Sequence, residues 1–352
     1  MAVGPSKLPD ITPEQTPFAK NMSQFARFWL SEKGRFAMSG VAVAAACGYF
    51  GGYVALHVWF LPNYRNAVQL YKNGFMTPPT ADVFERAKTA LEDVKLPEKQ
   101  KQSVNFFSVY GMDMFFAGST KTTGGVAIGI PRNYSYKTQA DLERNDIIVD
   151  GNNVEWGSDG GQLLQEALVL SENAQKFGIA RDICMSDTHY VYSRGIMGSS
   201  SIMLYFFLSR NANDMLYGLY KPRSFRTVVY SGLSLFCFGI WAVSSDLLTK
   251  FYENYADKRA GSLNLSYAKG GVEFYSRTLQ RNMALRSIMG PPGEKRFTFF
   301  GNDVEFIRER HVPFTRRKHN MEKIAERLSQ ASTMNNSSPV DNLQRDSHLL
   351  KS

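Results

Sequence analysis

The chain is 352 residues long, 43% hydrophobic and 21% charged, with a net charge of +9, a pI of 9.3 and a mean hydropathy of −0.28. Its 28 glycines and 14 prolines exclude collagen, and its apolar share excludes a disordered polymer. Three scattered cysteines (Cys47, Cys184, Cys237) cannot build a disulfide framework or a zinc ribbon, so the basic balance points to nucleic acid, an anionic membrane or a mitochondrial address.

After a polar segment, residues 1–35, the chain runs through residues 36–61 with no Asp, Glu, Lys or Arg and one histidine, His57. As a helix that stretch is about 39 Å long against ~30 Å of hydrocarbon, which predicts a transmembrane helix. It begins too late, runs too long and lacks a clean cleavage site for a secretory signal peptide. Gly40, Ala44, Gly48 and Gly52 recur along it at four-residue spacing, a small-residue stripe that lets another helix approach closely in lipid.

Residues 62–187 form an α+β polar region. A helix is predicted over 80–95, with Val83, Ala87, Leu91 and Val94 on one side, Thr80 as N-cap, and Pro78-Pro79 and Pro97 as its bounds. Residues 104–110, 112–117 and 124–130 are short, aromatic or β-branched, and punctuated by glycine, and they predict a small sheet. A further strand pair, 147–149 and 153–156, is predicted across the turn Asp150-Gly151-Asn152. The helical period returns over 161–185.

Residues 190–208 are a further transmembrane helix if the apolar run 196–208 extends back through Tyr190 with Arg194 snorkelling; a buried or interfacial helix is the alternative. Residues 227–245 carry no charge over 19 positions and predict another span. With three spans, residues 1–35 (net +2) and 209–226 (net +3) face one side, while 62–187 (net −3) and 246–352 (net +6) face the other. Residues 246–328 read as a helical polar region. Gly270-Gly271 lies inside it, where each glycine costs about 1 kcal/mol relative to alanine, so a break or a close backbone approach is expected. Pro291-Pro292 is predicted to end this unit, and the Ser/Asn/Gln-rich tail 329–352 to be disordered.

No catalytic constellation stands out. His57, His189, His311, His319 and His348 are scattered and form no HExxH, and both a GxGxxG after a strand and a phosphate-binding P-loop are missing. Met112 and Met114 offer soft copper ligands but sit in a predicted strand, where packing is the simpler role. Arg316-Arg317-Lys318 suits phosphates or lipid headgroups, or a solvated patch. No catalytic residue, metal site, cofactor or nucleic-acid partner is expected.

At the helices after the last span the residues become recognisable. Asp257-Lys258-Arg259, Gly270-Gly271-Val272-Glu273-Phe274-Tyr275, Asn282, Ala284-Leu285-Arg286-Ser287, Gly293-Glu294-Lys295 and His311-Val312-Pro313-Phe314-Thr315-Arg316-Arg317 resemble the transmembrane protein 177 family. So do Val126-Ala127-Ile128-Gly129-Ile130-Pro131 and residues 171–182, and the likeness covers roughly 110–320. The resemblance implies a multi-pass protein of the mitochondrial inner membrane without enzymatic activity. It further implies a role in early maturation of cytochrome c oxidase subunit 2, as partner to that subunit and to its membrane chaperone, besides membrane lipids. Asp10, Glu14 and Glu32 make a poor transit peptide, which leaves import to internal signals.

The element order is also similar to membrane zinc metallopeptidases of the HExxH kind. The long helix here reads Ala174-Gln175-Lys176-Phe177-Gly178, without zinc ligands, so this alternative is an inactive scaffold. The expectation is therefore an α+β membrane protein with about three transmembrane helices, a small β-sheet and long amphipathic helices. Gly40, Ala44, Gly48 and Gly52 are its expected helix-packing face, and Gly270, Gly271, Glu273, Tyr275, Arg286 and Arg317 its expected structural or partner surface.

Overall fold

The computed structural model describes residues 28, 31–218 and 223–337, and the chain divides into two compact units, Met1–Gly52 with Gly195–Ala242 and Tyr53–Arg194 with Val243–Ser352. It is α+β and mostly helical. In chain order the helices are α1 (Glu32–Val58), α2 (Leu61–Val68), α3 (Ala81–Asp93), α4 (Glu98–Lys101), α5 (Asp159–Leu168), α6 (Glu172–Ser186), α7 (Tyr190–Gly218), α8 (Arg223–Gly261), α9 (Leu265–Met289), α10 (Pro291–Arg296) and α11 (Phe314–Ser337). The strands are β1 (Tyr71–Lys72), β2 (Phe75–Met76), β3 (Val104–Val109), β4 (Phe115–Ser119), β5 (Gly125–Pro131), β6 (Ile148–Val149) and β7 (Asn152–Asn153).

Two of the described helices are long and apolar enough to cross a membrane, Glu32–Val58 and Ser224–Gly261. The expected third span, 190–208, is not among them: α7 is unbroken over 29 residues, but its serines, Arg194, Arg210 and Asp214 make it less apolar. In the first unit the middle of α1 buries Ala42 and Ala46. The rings of Tyr49 and Phe50 lie against Gly198 and Gly195 of α7, where any Cβ would overlap them, and the Ser199 hydroxyl donates to the Ala46 carbonyl at 2.8 Å. The glycines that admit a neighbouring helix here belong to α7.

In the second unit the sheet order is β3-β5-β4, with β3 parallel and β4 antiparallel to β5. Ile128 sits opposite both Phe106 and Phe116 and is fully buried. The predicted strand 112–117 starts only at Phe115. Met112 and Met114 lie in the bend before it, and the Met112 carbonyl accepts from Arg281 Nη1 at 2.9 Å. β6 and β7 pair across Asp150 and Gly151, both at positive φ (51° and 79°), but β7 ends at Asn153, short of the predicted 156.

Three further expectations are corrected. The single helix over 161–185 is two, because Val169 leaves the helix at φ −90°, ψ 113° and Ser171 caps a new one, its hydroxyl accepting from the Ala174 amide at 3.2 Å. Thr80, by contrast, is the N-cap of α3 as expected, its side chain making no cap bond. Gly290, at φ 62°, ends α9, whereas Pro291-Pro292 opens α10, a position where a missing amide costs nothing. Residues 329–337 continue α11, whose earlier turns are held by buried Arg317 and Met321, and extending a nucleated helix is cheap. The remainder of the predicted tail, like most of residues 1–35, lies outside the described residues.

The main core joins α3, β5, α6, α8, α9 and α11 through Val83, Ala87, Ile128, Ile130, Phe177, Ile183, Ala256, Tyr275 and Met321. α9 runs through Gly270-Gly271 without a break, so of the two expected outcomes the structure realises the close approach. A Cβ on Gly270 would overlap the Asn173 carbonyl, and one on Gly271 would lie 2.8 Å from Phe177 Cε2 and 3.0 Å from Met321 Cγ.

Candidate functional site

The polar half of α8 places Glu253 and Asp257 four residues apart, hence on one face. Both are buried, and both are met by groups from other elements. Arg317 of α11 donates to Asp257 through Nε and Nη2, each at 2.7 Å, in a bidentate fork. Tyr275 of α9 donates its hydroxyl to the same carboxylate at 2.6 Å, and the Arg317 guanidinium lies 4.9 Å from the Tyr275 ring centroid. Arg181 of α6 lies 3.3 Å from Asp257 and donates to Asp182 at 2.9 Å. Asp182 keeps its second oxygen buried without a hydrogen-bond partner, and burial pushes its carboxyl above the usual range despite Arg181 and Arg317.

Glu253 holds the segment ahead of α11. It lies 2.7 Å from His311 Nδ1 and accepts from the Val312 amide at 2.9 Å. Burial pushes this carboxyl up, but the His311 hydrogen bond, the Arg317 charge and the Val312 amide outweigh it and hold the group down at about 2. The Glu253 hydrogen bond in turn raises the His311 imidazole above its ordinary value.

Beside this network opens a cleft of about 730 Å³, lined by Asp113, Glu253, Asp303, Glu305 and Glu309 against Arg181, His311 and Arg317. Burial and the nearby Asp113 raise the Asp303 carboxyl. Phe274 and Phe314 supply apolar wall. Such a wall suits a basic, partly apolar polypeptide segment. No three His, Cys, Asp or Glu side chains come together as a metal set among the described residues.

The six residues expected to share a surface divide by task. Gly270 and Gly271 admit α6. Glu273 grips the start of that helix, accepting from the Ser171 amide at 2.9 Å and its hydroxyl at 2.5 Å. Tyr275 and Arg317 belong to the ion network. Arg286 stands apart and ties α9 to the end of α10, donating to the Phe297 carbonyl at 2.8 Å. Of the basic triplet 316–318 only Arg317 is buried. Gly40, Ala44, Gly48 and Gly52 are all exposed, and a Cβ on any of the three glycines would meet nothing within 4 Å. Sequence reasoning missed Arg181, Asp182 and Glu253. The available signal was the pair Glu253 and Asp257, at i and i+4 on an otherwise apolar helix face with Ala256 and Ala260.

The profile of a family described as "Transmembrane protein 177" matches residues 101–335. The chain is 28% identical over 289 residues to transmembrane protein 177 of Mus musculus, covering 81% of this chain and 92% of that one. It is 29% identical over 286 residues to the Homo sapiens protein of that name (80% and 90% covered) and 29% over 307 residues to that of Xenopus laevis (84% and 96%). No solved structure matches the chain.

Proposed function

Since the chain belongs to the transmembrane protein 177 family of membrane proteins, we propose that it is a non-enzymatic assembly and stabilisation factor of the mitochondrial inner membrane. Its clients on this reading are newly made cytochrome c oxidase subunit 2 and that subunit's membrane chaperone. The observation that carries it is the open stripe Gly40/Ala44/Gly48/Gly52. α1 already packs within the chain through Ala42, Ala46, Tyr49 and Phe50, so the small-residue face is left over for a helix from another protein. The acidic cleft of the polar module would hold the client's basic residues on the same side of the membrane.

Three spans are supported by parity. Residues 62–187 and 246–337 share one core: Gly270 lies on Asn173, Glu273 on Ser171 and Arg181 beside Asp257. If α8 crosses the bilayer over 227–245, residues 209–226 lie on the far side, and the chain must cross once more between 187 and 209. α7 is the helix available. Its Arg194 turns into the protein, its Nη2 donating to Ser245 and Thr249 of α8 at 3.1 Å each and its guanidinium lying 5.1 Å from the Tyr190 ring centroid.

The test is a photo-crosslinking residue at position 44, compared with one at the internally packed position 46, in intact mitochondria. Adducts to the oxidase subunit or its chaperone from position 44 alone are expected. Adducts lacking both would refute the reading.

A further inference from the structure

The segment before α11 carries two adjacent large apolar side chains almost wholly in solvent, Phe306 (97% exposed) and Ile307 (87%). The next two residues fix where the pair stands. Arg308 Nε lies 3.4 Å from Asp246 Oδ2, and Glu309 accepts from Lys250 Nζ at 3.3 Å. Asp246 is the first charged residue after the uncharged stretch 227–245 of α8, and Lys250 follows one turn later. Two ion pairs of opposite sense therefore tie the segment to α8 at the level where that helix leaves its apolar stretch. The same level of α8 turns Leu247 (63% exposed) and Phe251 (62%) outward.

This level decides what covers the pair. Ile307 is one Cα step, about 3.8 Å, from Arg308, whose side chain reaches the residue adjoining the apolar stretch. Removing large apolar side chains such as these from water is favourable in proportion to the area covered. Of the charges flanking the pair, Arg308 is paired with Asp246 and Glu309 with Lys250, while Glu305 and Arg310 bound the segment and stay on its polar side. We propose that Phe306 and Ile307 insert into the headgroup–acyl boundary of the bilayer that α8 crosses, as an interfacial wedge that seats the polar module on the membrane. The wedge rests on α8 being a span. It assigns the module a second, peripheral lipid contact, about 60 residues downstream of the span in sequence, clipped to the helix by the ion pairs Arg308–Asp246 and Lys250–Glu309.

The experiment uses the full chain in nanodiscs, with Cys47, Cys184 and Cys237 replaced by alanine and a single environment-sensitive fluorophore on Phe306→Cys. Leu235→Cys, in the middle of the apolar stretch, is labelled separately as the reference for the span. Blue-shifted emission at 306, quenched by doxyl groups on lipid chains and protected from aqueous iodide, is the expected result. Quenching by doxyl lipid at 235 but iodide access at 306 overturns the wedge and leaves the span standing. A blue-shifted probe at 306 that doxyl lipid does not quench also overturns it, since protein then covers the pair. Loss of doxyl quenching at 235 fails the span and the wedge together. In the unsubstituted protein, a lipid bearing a chain-borne diazirine should label the peptide containing Phe306 and Ile307, and no labelling there would count against the wedge independently of any cysteine variant.

Discussion

Arg317 and Asp257, 60 residues apart, face each other through two hydrogen bonds of 2.7 Å in the middle of the main core. Breaking such a pair from one side leaves an uncompensated buried charge, at a cost of about 3–5 kcal/mol, whereas removing both partners often costs far less. Arg317→Leu is expected to destabilise the polar module by that amount in thermal melts of the detergent-solubilised protein. Asp257→Leu added to it should restore much of the loss. Arg317→Lys should not, since an ammonium cannot supply the fork. A melt for Arg317→Leu no lower than that of Arg316→Ala would refute the assignment.

Gly270 and Gly40 give opposite outcomes for the same substitution. In a helix, alanine gains about 1 kcal/mol over glycine when space permits. At Gly40 nothing lies within 4 Å of the new methyl, so Gly40→Ala should leave the melting temperature unchanged or raised. At Gly270 the methyl would overlap the Asn173 carbonyl, a backbone atom that can move only with α6. Gly270→Ala should therefore cost about 1–3 kcal/mol net. Equal melts for the two variants would contradict the close approach.

Gly270-Gly271 also marks how far the sequence could be read. Periodicity and glycine cost together left two outcomes, a break or a close approach, and only the position of Asn173 on another helix decided between them. The α5–α6 boundary was hidden for a related reason: apolar residues continue in helical register across Val169 and Leu170, while the signal that breaks them is one serine cap. The sheet's strands were legible from their aromatic and β-branched composition, but not their order, because parallel pairing of β3 with β5 depends on contacts distant in sequence. The ion network was the least legible. Tyr275 and Arg317 were singled out, yet the only local mark of their common partner Asp257 is its i, i+4 spacing from Glu253, and Arg181 reaches it from a helix 76 positions earlier. The outward face of α1 was visible as a stripe, whereas its internal face, through Ala42 and Ala46, depends on where α7 lies.

The pair of Glu253 and His311 gives the module a pH dependence whose sign follows from its shifts. His311 has a raised folded-state value, so its contribution is complete below the unfolded value near 6.5 and fades as pH rises through the folded one. Glu253 is held at about 2, so its contribution is present above roughly 4.5 and is lost as pH falls toward 2. Between about pH 5 and 6 both act. The melting temperature should fall from pH 6 to pH 8, and His311→Gln should flatten that slope by removing the titrating ring while keeping a side chain that can hydrogen-bond Glu253. An unchanged slope in the variant would show that other groups set the dependence.

Parity makes membrane topology a sharp prediction. The cleft joins Asp113 from the region before α7 to Asp303 and Glu309 from the region after α8, so protease added to one side of sealed mitoplasts should reach both regions or neither. A tag placed between α7 and α8, near Arg210, should show the opposite accessibility. Were α7 to lie on the surface instead, residues 62–226 would form one accessible block and 246–352 the other. The core shared by Gly270 and Asn173 could then not have formed across the bilayer. Cleavage of one polar region with the other spared and the membrane intact would therefore overturn three spans, and with them a client-holding module confined to a single side.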